Sequence, residues 1–141
     1  MSQKTILLVD DEQSFLEALE DALTFEGYQV LKARDVETAL GILQTTQIDL
    51  MTIDIMLSPG KRLEGVIKSQ NAGYHLCREV SKTYPKIPAY CLSVVNDAKT
   101  VAKIRQLGIG FLPKGETPLG TVLNIIRMRL SPADSPKRRP Q

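Results

Sequence analysis

Ile48-Asp49-Leu50-Met51-Thr52-Ile53-Asp54-Ile55-Met56-Leu57 is the stretch on which the fold turns. Its apolar residues run almost without interruption, as in a strand buried on both faces of a parallel sheet. A carboxylate where such a strand ends is costly unless it is solvated, paired or metal-bound. In open parallel sheets that edge is also where ligands bind. Asp54 is therefore either a helix-capping aspartate or a reactive centre, and the flanking sequence must decide.

Upstream, Thr5-Ile6-Leu7-Leu8-Val9 is a second apolar run, stopping abruptly at Asp10-Asp11-Glu12. Ser14 with Glu17 fits a capping box. Phe15, Leu16, Leu19, Ala22, Leu23 and Phe25 then follow helical spacing, and Gly27 suits the residue after a helix end. Tyr28–Ala33 reads as a more exposed strand, and Asp35 as the N-cap of a helix carrying Val36, Ala39, Leu40 and Leu43.

Downstream, Ser58–Gln70 has mixed charge, Pro59, Gly60 and Gly65, and no clear period, so it reads as a long loop. Tyr74, Leu76, Cys77, Val80 and Tyr84 mark a third helix, closed by Pro85. Pro88–Ser93 is a fourth strand. Asn96 or Asp97 caps a helix with Val101, Ile104 and Leu107, ended by Gly108. Ile109–Lys114 is a fifth strand, and Thr117 with Pro118 forms an N-cap and first-turn pair before Val122, Leu123, Ile125, Ile126 and Leu130. Five strands alternating with five helices predict a doubly wound α/β sheet spanning 1–130. Residues 131–141 are expected to form a disordered basic tail.

Composition fits one ordinary domain: 141 residues, 43% hydrophobic and 24% charged. No apolar run approaches a membrane span, and Met1-Ser2-Gln3-Lys4 does not open a signal peptide. A cytoplasmic protein is the expectation. Cys77 and Cys91 have neither the spacing nor the neighbours of a zinc site or a disulfide framework. Lys137, Arg138 and Arg139 against Asp134 account for the whole formal charge of +2, so residues 1–130 are neutral. Nothing there suggests a nucleic-acid-binding face, and direct DNA binding is not expected.

Four of the five strands end in a residue capable of chemistry: Asp10 and Asp11, Asp54, Ser93 and Lys114. In a parallel sheet these ends share one edge, where crowded carboxylates require a proton or a cation. All-oxygen ligation suits Mg²⁺. Lys114 and Ser93 opposite a metal-bound Asp54 would cradle a phosphoryl group, and the Asp54 carboxylate could attack phosphorus to give an acyl phosphate.

Val9-Asp10-Asp11-Glu12, Asp54 followed by Met56, Ser93, and Phe111 three residues before Lys114 together resemble the receiver domains of two-component response regulators. The resemblance covers nearly all of residues 4–130. It implies a flavodoxin-like sheet of order 2-1-3-4-5. Asp54 would accept phosphate from a histidine kinase or phosphotransfer protein. Asp11, Asp54 and the Met56 carbonyl would ligate Mg²⁺, with Asp10 helping through water. Ser93 would follow the phosphoryl group, and Phe111 would change rotamer to alter the face formed by the fourth helix, fifth strand and fifth helix, where a downstream protein binds. A monomer or a phosphorylation-linked dimer is implied, catalysing only its own phosphorylation and dephosphorylation. After residue 130 no output domain fits, so the switch is expected to stand alone.

The sequence also departs from that family. The glycine that usually follows the phosphorylated aspartate closely is matched only by Ala72-Gly73-Tyr74-x-Leu76, making 55–72 an elongated loop. It carries Lys61, Arg62 and Lys68 and reads either as solvated or as a basic flap near the phosphate. Pro113 precedes the lysine, where the family commonly has a proline after it. Met56 and Val95 stand at positions usually polar enough to orient an attacking water, which implies slow self-dephosphorylation.

Two other functions compete. A receiver-like adaptor would never be phosphorylated. An aspartate-nucleophile phosphatase would need a second Asp two residues after Asp54, where Met56 stands. Pro59-Gly60-Lys61-Arg62 fails as a phosphate-binding loop, because Ile55 replaces its first glycine and Arg62 its Ser or Thr. His75, the only histidine, reads as a surface residue, and Ser93 has no histidine partner for a triad.

Overall fold

The computed structural model describes residues 3–65, 72–95 and 97–131. Along the chain it runs β1 (Thr5–Val9), α1 (Gln13–Phe25), β2 (Gln29–Ala33), α2 (Val36–Thr45), β3 (Leu50–Ile53), α3 (Ala72–Thr83), β4 (Ala89–Ser93), α4 (Ala98–Gln106), β5 (Gly110–Pro113) and α5 (Leu119–Leu130). The strands form one parallel sheet of order β2-β1-β3-β4-β5, as the resemblance implies.

Strand side chains alternate between two cores. Ile6, Leu8, Leu50 and Leu92 pack under α1 and α5 against Leu16, Leu19, Leu23, Val122 and Ile126. Leu7, Val9, Met51, Ile53, Cys91 and Phe111 pack on the other face with Val36, Ala39, Leu76, Val80 and Ile104 from α2, α3 and α4. Cys77 and Cys91 are both buried free thiols on that side.

Several local expectations need correction. Of the apolar run 48–57 only Leu50–Ile53 is strand. The Asp54 carboxylate Oδ1 accepts the Met56 N–H at 3.1 Å, and this turn ends the strand. Ile55 and Leu57 are buried nonetheless, as loop residues that join the core. The Ser14–Glu17 capping box does not form: α1 starts earlier, with Glu12 at its N-cap and no side-chain cap bond. The Glu12 N–H goes to Asp10 Oδ1 at 2.9 Å, and Glu17 is engaged by the Gln13 side chain at 2.7 Å. At α5 the N-cap is Pro118 rather than Thr117, and its carbonyl accepts the N–H groups of Thr121 and Val122. His75 lies half-buried near the start of α3. Asp35 and Asp97 do cap α2 and α4, accepting the N–H of Thr38 at 2.7 Å and of Thr100 at 3.1 Å. Asn96, the alternative cap, lies outside the described residues, as do 66–71 of the long loop and 132–141 of the tail.

The described start of the long loop is built onto α2. The N–H groups of Val36 and Glu37, unpaired by the helix itself, donate to the carbonyls of Ser58 and Pro59 at 3.0 and 3.1 Å. Glu37 in turn accepts the N–H of Arg62 at 3.2 Å and pairs with its guanidinium at 3.4 Å, across a single 3-10 turn at Lys61–Leu63. Gly60 makes the approach possible. Its φ is +97°, and a Cβ there would stand 2.7 Å from that of Glu37. Gly60→Ala is therefore expected to cost about 1–3 kcal/mol from positive φ and overpacking together. Equilibrium denaturation measures this, and an unchanged midpoint would count against the clamp.

Candidate functional site

Register brings the strand-end residues together. Val9 pairs with Ile53, so Asp10 and Asp54, each the next residue, stand side by side at the carboxyl edge of the sheet. Ser93 pairs with Pro113, and the Lys114 N–H donates to the Ser93 carbonyl at 2.9 Å, which aims Lys114 back across β4. Its Nζ lies 2.7 Å from Asp10 Oδ2, 2.9 Å from Glu12 Oε1 and 3.4 Å from Asp54 Oδ2. Pro113 before the lysine thus does not prevent it from reaching Asp54.

The two carboxylates are almost fully enclosed, Asp10 at 3% and Asp54 at 4% exposure, whereas Asp11 is exposed. Burial first, and the neighbouring Asp10 charge second, push the Asp54 carboxyl up to about 6. Lys114 and the Met56 N–H oppose that rise without cancelling it. For Lys114, burial acts to lower the ammonium, but hydrogen bonds to Asp10 and Glu12 outweigh it and hold the group above its ordinary value. Among the described residues, the Lys114 ammonium is the cation that bridges these carboxylates.

Oxygen atoms of Asp10, Asp11 and Asp54 all lie within 4.8 Å of one another. Three carboxylates converging with one cation nearby leave excess negative charge, the donor set of a hard divalent ion. These residues therefore fit Mg²⁺.

Not every expected contact is present. The Ser93 side chain is fully buried, and its Oγ accepts the Val95 N–H at 3.1 Å. Among the described residues no hydrogen bond joins it to Asp54. Phe111 is 8% exposed and packed into the core on the α2–α3–α4 side. The Met56 side chain points largely to solvent. Arg62 is committed to Glu37, so that member of the basic loop is held at α2.

Three contributors were not legible as such. Glu12 supplies the third carboxylate on Lys114. The Phe15 ring faces the same ammonium, 4.6 Å from centroid to Nζ. Their i, i+3 spacing at the start of α1 places both on one helix face, a signal available in the sequence. Gly73, at the start of α3, packs directly on the backbone of Asp54 and Ile55.

A sequence model described as the response regulator receiver domain matches residues 6–119. Response regulator GtcR of Aneurinibacillus migulanus is 34% identical over 125 residues, covering 86% of this chain and 46% of the relative. The chain spans about half the length of the curated relatives it matches. Among solved structures, the signal receiver domain of an HD domain-containing protein from Pseudomonas fluorescens Pf-5 superposes with a TM-score of 0.77 at 25% identity, covering 92% of this chain and 95% of that one. A response regulator from Burkholderia pseudomallei, solved with a phosphorylated aspartic acid, calcium ion and citrate, gives 0.71 at 19% identity over 86% of this chain and 65% of that one.

Proposed function

The chain belongs to the response regulator receiver domain family, and from that premise we propose that it is a phosphorylation-dependent signalling switch whose acceptor is Asp54. One observation carries the reading: a nearly enclosed Asp54 carboxylate flanked by Asp10 and Asp11, with the Lys114 ammonium 3.4 Å away. The Burkholderia structure supports the idea that this fold accommodates both a phosphoaspartate and a divalent cation.

Mg²⁺ would be held by Asp11, Asp54 and the Met56 carbonyl, with Asp10 assisting, and when bound it offsets charge on the phosphoryl oxygens. The donor is the phosphohistidine of a histidine kinase or phosphotransfer protein. A carboxylate oxygen of Asp54 forms the new P–O bond as the P–N bond breaks, and the imidazole leaves with the electron pair. Lys114 binds a phosphoryl oxygen. For Ser93 to do the same, its hydroxyl proton must turn toward the group while its oxygen keeps the Val95 N–H. Phe111 sits in β5 between Tyr90↔Gly110 and Ser93↔Pro113 pairings, where movement of Ser93 would be felt first. The output is read by a protein partner on the α4–β5–α5 face.

The switch acts on itself and turns over no separate substrate. Neither Met56, 53% exposed, nor Val95 presents a polar side chain to orient an attacking water. A phosphoryl lifetime longer than that of a receiver with polar side chains at both positions is expected, measured by loss of label after donor removal.

Incubation with acetyl phosphate and Mg²⁺, followed by intact mass, tests the function. A gain of one phosphoryl group supports the switch. No gain at saturating donor would overturn it in favour of an adaptor that only presents a surface, and steady turnover of a generic phosphomonoester would favour a phosphatase.

A further inference from the structure

We propose that Glu12 is a positioning residue for Lys114, an internal anion that occupies the ammonium before phosphorylation and is exchanged for a phosphoryl oxygen afterwards. This rests on the reading of Asp54 as the phosphoryl acceptor.

An ammonium has three donors. Those of Lys114 face three carboxylates, at 2.7, 2.9 and 3.4 Å. A phosphoryl oxygen can gain a hydrogen bond from Lys114 only if one of them gives way. Asp10 is held fast: its side chain is 4% exposed, and its second oxygen is locked by the Glu12 N–H at 2.9 Å. Releasing it would strand a buried carboxylate. Asp54 is the group being modified and must stay in place.

Glu12 alone can leave at small cost. Its side chain is 56% exposed, and its other contact is a long one, 3.5 Å from Ser14 Oγ. It also borders a solvent-open groove of about 330 Å³, shared with Phe15, Lys114 and Val94, which gives the carboxylate room to swing out. Breaking this contact costs Glu12 little, because water resolvates its exposed carboxylate, while Lys114, whose side chain is only 8% exposed, keeps Asp10 and takes a phosphoryl oxygen in place of Glu12. Meanwhile the Phe15 ring and Asp10 keep the ammonium from following Glu12 outward.

The same placement has a second consequence. An approaching phosphodonor is anionic, and the Glu12 charge stands at the mouth of the site, within a Debye length of its path. Glu12 therefore opposes loading twice, by holding Lys114 and by repelling the donor.

Glu12→Gln removes the charge and keeps the shape, and the exposed position leaves folding unthreatened. With acetyl phosphate and Mg²⁺, the variant is expected to phosphorylate roughly 3–10-fold faster, consistent with loss of one half-exposed ion pair and one repulsive charge. Its rate should respond less to ionic strength. In the metal-free protein, lysine-selective ¹⁵N NMR should show faster hydrogen exchange at the Lys114 ammonium in the variant, a readout independent of activity. A labelled parent together with unchanged rate, salt response and exchange in Glu12→Gln would overturn the proposal, as would a slower variant. If the parent takes no label, the acceptor reading itself fails and the exchange falls with it. The NMR comparison would then report only whether Glu12 pins the lysine.

Discussion

Asp54→Asn is expected to abolish the phosphoryl mass gain entirely and, in the same variant, to make the metal-free protein more stable. Loss of the gain follows from removing the nucleophilic oxygen. The stability gain follows from charge. Folded Asp54 titrates at about 6, above the ordinary carboxylate range, because burial and Asp10 disfavour its ionised form. Between the unfolded value of about 3.9 and that folded value, the native state binds more protons than the unfolded chain, so this site's contribution to stability falls as pH rises. Above pH 6 the full penalty is present. Asparagine is never charged and can still accept the Met56 N–H. The variant should exceed the parent by on the order of 2 kcal/mol near neutral pH, with the advantage shrinking as pH falls from about 6 and gone below about pH 4. Lys114 retains Asp10 and Glu12 in either case. Urea denaturation with chelator across this pH range provides the measurement, and a parent more stable than the variant at neutral pH would refute the account. Added Mg²⁺ should narrow the gap by favouring the ionised parent.

Gly73→Ala should damage both stability and the site. A Cβ at Gly73 would run into the backbone of Ile55 and the carbonyl of Asp54, well inside van der Waals contact. These are backbone atoms, with no rotamer to yield. Alanine gains about 1 kcal/mol in helix propensity, but overpacking against a rigid neighbour costs about 3 kcal/mol or more, so the steric term wins. Relief requires α3 to move outward or the segment after β3 to shift, and the latter displaces the Asp54 carboxylate from Asp10 and Lys114. A lower melting temperature together with slower phosphorylation is the expected result. Native stability and native rate in Gly73→Ala would show that the close approach is not needed.

Gly73 also shows how far a single sequence can be read. Its place in Ala72-Gly73-Tyr74 marks a family landmark displaced by the elongated loop, but the reason for glycine lies in a contact with residues eighteen and nineteen positions away. The caps divide in the same way. Asp35 and Asp97 were legible because each bonds an N–H three residues on, within its own helix. The Ser14–Glu17 pattern was equally plausible locally and did not form, because Asp10 in the strand end claims the Glu12 N–H and starts the helix early.

What the sequence determined by itself was the alternation of strands and helices and the identity of Asp10, Asp11, Asp54, Ser93 and Lys114 as strand-end residues. Those features are local: a buried strand is a short apolar run, and a polar residue that halts it announces the sheet edge. The tertiary structure decided which of these groups touch. Lys114 prefers Asp10 and Glu12 to Asp54, the Ser93 hydroxyl serves Val95, and the start of the long loop caps α2. Such choices depend on strand register and on distances of a few tenths of an ångström between residues as far apart as 10 and 114. No spacing along the chain encodes them, because they are settled by the competition of Asp10, Glu12 and Asp54 for the Lys114 ammonium at the sheet edge.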